Sequence, residues 1–236
     1  GNPEQAYSFP HQPLNLEILR YTALIVKYKA TNVSDNKELA KIILKYAWQH
    51  LKSDDLTMKQ TGYVLVCRFI EALVTTRDKI ILQVYVALLR AYHPECKHLV
   101  REALEILTPN MMNKFTNDPM QWVRWAKRII VEEGHTLGQL IHIIQHIVRH
   151  SIYFYPHRGQ FVQQIVSALN LIGLPGPSPE NKRLALGAVE MIINWEVMAR
   201  KENPEPQPDD YRLPNNLAEL ILSFLIRMSS GSPDAS

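Results

Sequence analysis

The chain has 236 residues, a net charge of +3 and 46% hydrophobic against 21% charged residues, which is the composition of a folded domain with enough length to bury a core. So small an excess of positive charge is weak evidence for nucleic-acid binding, no apolar run reaches the roughly 20 residues of a membrane span, and two cysteines, Cys67 and Cys96, do not make a disulfide framework. The two cysteines point to a reducing compartment, and the opening at Gly1 without an initiator Met reads as a segment of a longer protein.

Apolar residues recur at helical spacing along the chain, and no strand-type alternation competes with them. The first helix is predicted over about 14–28, with Leu16, Leu19, Ala23 and Val26 on one face. The second follows Asp35 as N-cap, with Glu38 closing a capping box and Leu39, Ile42, Ile43, Tyr46 and Ala47 as its stripe. Tyr63, Val66, Cys67, Ile70 and Val74 mark the third, starting after Ser53, and Ile81, Val84, Tyr85 and Leu88 the fourth. Pro94 opens the fifth, whose stripe of Cys96, Leu99, Val100, Ala103, Leu104 and Leu107 is expected to stop at Pro109.

Asp118 and Pro119 are read as cap and first residue of the sixth helix, which carries Trp122, Val123, Ala126, Ile129 and Ile130 and ends at Gly134. The seventh has Thr136 as cap, Gln139 closing a box, and Leu137, Leu140, Ile141, Ile144, Ile147 and Val148 along one side. Phe161, Ile165, Leu169 and Ile172 place the eighth, and Gly173–Pro177 a turn. Ser178, Pro179 and Glu180 open the ninth, with Leu184, Ala188, Met191, Ile192 and Trp195. A proline-rich acidic loop at 201–213 precedes the tenth, with Leu217, Leu220, Ile221, Phe224, Leu225 and Met228. Residues from Ser229 read as a tail.

Taken two at a time, these helices give pairs at about 14–52, 54–91, 94–133, 137–172 and 179–229, whose starts lie 40 to 43 residues apart. A two-helix unit at that period predicts a single all-α, HEAT-like α-solenoid of about five antiparallel pairs, a class that works as a surface for other molecules. The catalytic patterns G-x-S-x-G, G-x-x-x-x-G-K-[ST], G-x-G-x-x-G and H-E-x-x-H are absent, so neither a catalytic residue nor a cofactor is expected.

Three constellations stand out. Lys41, Lys45 and Lys52 flank Trp48 on the side of their helix away from its main stripe, which suits capture of an acidic, hydrophobic segment or, more plainly, packing against the next repeat. Arg124, Trp125 and Arg128 repeat the combination. His142, His146 and His150 recur every fourth residue, pointing away from the Leu140/Ile141/Ile144/Val148 stripe, and are expected to face solvent or a partner. They are not assigned a metal: the face lacks an Asp or Glu to complete a zinc site. Arg90, Lys97, Arg101, Arg124, Lys127 and Arg128 could meet phosphates, but Glu95, Glu102, Glu105, Glu132 and Glu133 interrupt them and argue against a nucleic-acid track.

The order and spacing of several stretches across about 54–196 resemble the TRRAP family, giant pseudokinases of the phosphatidylinositol-kinase-related class. The stretches are Lys59-Gln60-Thr61, Gln83–Arg90, Leu99–Leu107, Trp122–Trp125, Val131–His135, Ile147–His150, Phe154-Tyr155-Pro156, Ser178–Asn181 and Asn194-Trp195-Glu196. The resemblance implies an internal slice of a large HEAT solenoid without kinase activity. It implies a nuclear scaffold of histone acetyltransferase coactivator complexes, whose partners are fellow subunits and transcription activators with acidic-hydrophobic activation segments. No small-molecule substrate and no membrane partner is implied. Helix-in-groove binding and fuzzy capture are both open to such a surface, and a purely structural spacer is the competing reading.

Overall fold

A computed structural model describes residues 12–72, 77–115, 118, 120–174, 178–205, 207 and 209–230. Among them are twelve α-helices and no strand, and the fold class is all-α, of the HEAT-like α-solenoid kind. The chain divides into two compact units, Gly1–Asp118 and Pro119–Ser236. The pair expected over 94–133 is divided between them.

The first unit holds α1 (Gln12–Tyr28), α2 (Ala30–Asp35), α3 (Lys37–His50), α4 (Leu56–Ala72), α5 (Asp78–Arg90) and α6 (Lys97–Lys114), with a 3-10 turn at Pro94–Cys96. Its centre is α4, which packs against α1 and α6, the other leading helices, as well as α3 and α5. That is why α4 is apolar around most of its circumference: Met58, Val64, Leu65, Val66, Cys67, Phe69 and Ile70 are all buried. Buried Thr61 donates its hydroxyl to the Thr57 carbonyl at 2.7 Å, keeping its polar group satisfied. Cys67 and Cys96 are free and buried, and burial pushes the Cys67 thiol well up.

The second unit holds α7 (Gln121–Glu133), α8 (Leu137–Arg149), α9 (Ser151–Phe154), α10 (Val162–Gly173), α11 (Pro179–Glu202) and α12 (Asn215–Ser230), with a 3-10 segment at Tyr155–Gln160. Here α10 packs against α8, α11 and α12, and α8 against α7 and α11. Gly173 allows a close approach between helices: a Cβ there would lie 2.8 Å from the Phe224 ring and 2.9 Å from the Ala185 methyl. Around buried Phe154 gather Trp122, Phe161 and His146, edge to face at ring separations of 5.1, 5.3 and 5.5 Å.

Local signals place most helices but misplace several ends. Ser178 caps α11 as expected, accepting from Asn181 N. Asp35 is not the cap of α3. It ends α2, a helix too short to show a stripe, and Asn36 caps α3 by accepting from Leu39 N at 3.0 Å. Glu38 turns instead to Lys41 at 2.8 Å. The buried line of α3 is Ala40, Ile43 and Ala47, while Leu39 and Ile42 are exposed. Asp55, two residues further than the expected Ser53, caps α4 by accepting from Met58 N at 2.8 Å.

Pro109 does not stop α6, which runs to Lys114. On either side of the bond that Pro109 cannot make, Thr108 Oγ1 donates to the Leu104 carbonyl at 2.6 Å and Asn110 Nδ2 to that of Ile106 at 2.9 Å. Met120, rather than Asp118, precedes α7, and Thr136 precedes α8 without a side-chain cap bond, so the box with Gln139 does not form. Val74, Pro119, the 175–177 part of the expected turn and the tail beyond Ser230 lie outside the described residues.

The loop between α11 and α12 starts at Asn203 and is tied down. Glu196 accepts from Leu213 N at 2.8 Å, and Asp210 accepts from Asn203 Nδ2 and Gln207 N at 3.1 Å each. Arg158 donates to the Tyr211 carbonyl at 3.1 Å with its guanidinium 4.5 Å over the Tyr155 ring, while Tyr155 donates to Glu202 and Arg212 to the Asn203 carbonyl.

Candidate functional site

The outer face of α3 is built from the same helix turn that fixes its inner face. Ala40, Ile43 and Ala47 sit down on α4, and Gly62 of α4 lets the end of α3 come close: a Cβ on Gly62 would lie 3.2 Å from His50 Cβ. Tyr46 reaches across to α1, its hydroxyl donating to the Asn15 carbonyl at 3.4 Å, and its ring meets His50 edge-on at 4.5 Å. With α3 held against α4 and α1, its remaining side is presented outward.

That face forms an open groove of about 570 Å³ lined by Lys41, Leu44, Lys45, Trp48, Gln49, Lys52 and, from the first turn of α5, Ile80. Trp48, Leu44 and Ile80 are half-buried, whereas the three lysines and Gln49 are exposed. The floor is therefore mostly carbon, extended by the lysine stems, and the ammonium groups stand at its rim. Lys41 pairs with Glu38 in solvent, a contact worth under about 1 kcal/mol. Lys45 and Lys52 make no ion pair among the described residues. An apolar floor with cations on its edge can hold a segment that carries both bulky apolar side chains and carboxylates.

The structure brings together Lys41, Lys45, Trp48 and Lys52, all four singled out from the sequence. Leu44 joins them one turn before Trp48, on the same side of α3. Ile80 was not legible in the sequence: it comes from another helix, and the periodicity of α5 points to Ile81 as the buried residue, which it is.

Around α7, Trp125 is half-buried with the Arg128 guanidinium 5.1 Å over its ring, and Arg128 also donates to Glu132 at 2.8 Å. Arg124 is exposed. Arg101 pairs with Glu105 at 3.6 Å, and Lys127 donates to Gln160 at 2.9 Å. Arg101, Lys127 and Arg128, among the cations considered for phosphate contact, are thus engaged by neighbours in their own unit.

The histidines depart from expectation. His146 and His150 are only 4% and 8% exposed, and His142 is half-buried, so they do not form a solvent-facing stripe. The reason is that α8 packs against α7, α10 and α11, covering more than one side. His146 lies 4.9 Å from the His150 ring, and burial, followed by the neighbouring charges of His150, His142 and Arg149, holds its pKa well below the usual histidine value. Among the described residues no group of His, Cys, Asp or Glu could hold a metal ion, and no helix is long and apolar enough to cross a membrane.

Residues 2–212 match the family model described as the Tra1 HEAT repeat ring region. The chain is 50% identical over 189 residues to probable transcription-associated protein 1 of Dictyostelium discoideum, covering 78% of this chain and 4% of that protein. It is 35% identical over 226 residues to the human transformation/transcription domain-associated protein, covering 92% and 6%. It is 28% identical over 189 residues to the SAGA complex/NuA4 acetyltransferase complex subunit TRA1 of Saccharomyces cerevisiae, covering 79% and 5%. The chain thus spans well under a tenth of the length of these relatives.

Proposed function

The chain belongs to the Tra1 family of transcription-associated proteins, within its HEAT-repeat ring, and on that footing we propose that it is a non-catalytic docking segment of a nuclear coactivator scaffold. Its partners on this reading are other subunits of acetyltransferase complexes and transcription activators with acidic-hydrophobic activation segments. The observation that carries the reading is the groove on α3, with Trp48 in its floor and Lys41, Lys45 and Lys52 at its rim. Long-range attraction by the lysines speeds encounter, and burial of an apolar side chain against Trp48 slows release. Aromatic residues in such positions carry a disproportionate share of binding energy.

The test is fluorescence anisotropy of a labelled acidic-hydrophobic peptide against the 236-residue chain, at low and near-physiological salt. Two control peptides replace its carboxylates by amides or its large apolar residues by alanine. Micromolar binding that survives physiological salt and needs both features supports docking. Trp48→Ala should then weaken it by about 2 kcal/mol, with the fold checked by circular dichroism. Equal binding of all three peptides, or none, moves the segment to the role of a spacer whose contacts are to its own chain or fellow subunits.

A further inference from the structure

The residues of the groove stand in two parallel rows. At roughly 100° per residue, Lys41, Lys45 and Lys52 fall within an arc of about 40°, and Leu44 and Trp48 fall just beside them, toward the buried Ala40 and Ala47. Lys52 lies two residues past α3, but the chain keeps turning there: Leu51 is right-handed helical and Lys52 N reaches the Gln49 carbonyl. The cationic row is therefore about 16 Å long, three helical turns, with an apolar row alongside that Ile80 widens.

We propose that the occupant of this groove is an amphipathic α-helix of about three turns, laid along α3, that carries a row of carboxylates beside a row of large apolar side chains. This rests on the docking reading and names the shape of the ligand. An extended segment turns alternate side chains to opposite sides, so it offers a surface a single row. A helix offers two adjacent rows on one face, repeating at the pitch of α3 itself. The groove also favours a ligand that satisfies its own backbone. Its wall is a helix whose main-chain groups are engaged within it, with no free sheet edge for a strand to join. Charge complementarity chooses the flank: Lys45 and Lys52 make no ion pair among the described residues, and carboxylates two turns apart on a partner helix would fall opposite them.

The experiment compares two synthetic peptides of identical composition and helix propensity against the full chain at near-physiological salt. In one, the glutamates flank the apolar row; in the other they occupy the opposite side of the helix. The matched peptide should bind about tenfold tighter and gain helical circular dichroism on binding. Lys45→Glu with Lys52→Glu should abolish that advantage, and a peptide with lysines in place of its glutamates should recover it on the doubly substituted protein, which also shows that the variant is folded. If the two isomers bind alike, or bind without becoming helical, the helical occupant is ruled out while capture by composition stands. If neither binds better than a peptide whose glutamates are replaced by glutamine, the docking reading falls as well.

Discussion

His146 of α8 is enclosed by the ring of His150 at 4.9 Å and the edge of Phe154 at 5.5 Å, with His142 and Arg149 on the same helix adding positive charge. Burial and then those charges disfavour its protonated form, so its folded pKa lies well below the value near 6.5 that it takes in the unfolded chain. Below that unfolded value the unfolded state binds more protons than the folded one. Stability is therefore complete above about pH 6.5 and declines as pH falls toward the folded pKa. Urea midpoints at pH 8 and pH 5 should differ more for the wild type than for His146→Phe, which keeps a ring in the aromatic cluster and has no proton to gain. Equal pH dependence in the two proteins would assign the acid sensitivity to other groups.

A single side chain decides where α3 begins. Asn36 stands in extended conformation and accepts from Leu39 N, while Asp35 closes the short helix before it. Asn36→Ala should cost about 1 kcal/mol in chemical denaturation and Asp35→Ala much less; the reverse ranking would restore the cap read from sequence. This element shows what a linear reading can and cannot reach. Long amphipathic helices such as α6, α7 and α11 announce their buried residues, because periodicity reports a face that must meet a neighbour. Helices of four to six residues, α9 and α2, complete too few turns to show a period. Pro109 reads as a stop in sequence, yet α6 runs through it to Lys114, an outcome no spacing rule weighs. In the groove, the α3 residues were legible because they share one helix, whereas Ile80 joins them only through tertiary packing. His146 and His150 were misread because a helical wheel knows one buried side, and α8 has neighbours on several.

At the scale of the molecule, α1 buries Leu19, Ala23 and Val26 in the first unit and leaves Leu14, Ile18, Tyr21, Ile25 and Tyr28 exposed. Their alternating spacing of four and three residues is that of a coiled-coil seam. An apolar stripe of this length in water favours self-association. Light scattering should show a mass that rises with concentration, and Ile18→Glu with Ile25→Glu should hold the chain at the monomer mass; a wild-type monomer at all concentrations would refute it. The segment between α11 and α12 has the opposite character. It is rich in proline and charge and reads as a loop, yet Glu196, Asp210, Arg158 and Arg212 tie it from several directions. It follows that this is a poor splice point. A tag or reporter inserted between Asn203 and Leu213 would break several tethers together, where an ordinary surface loop would absorb the added length at little entropic cost.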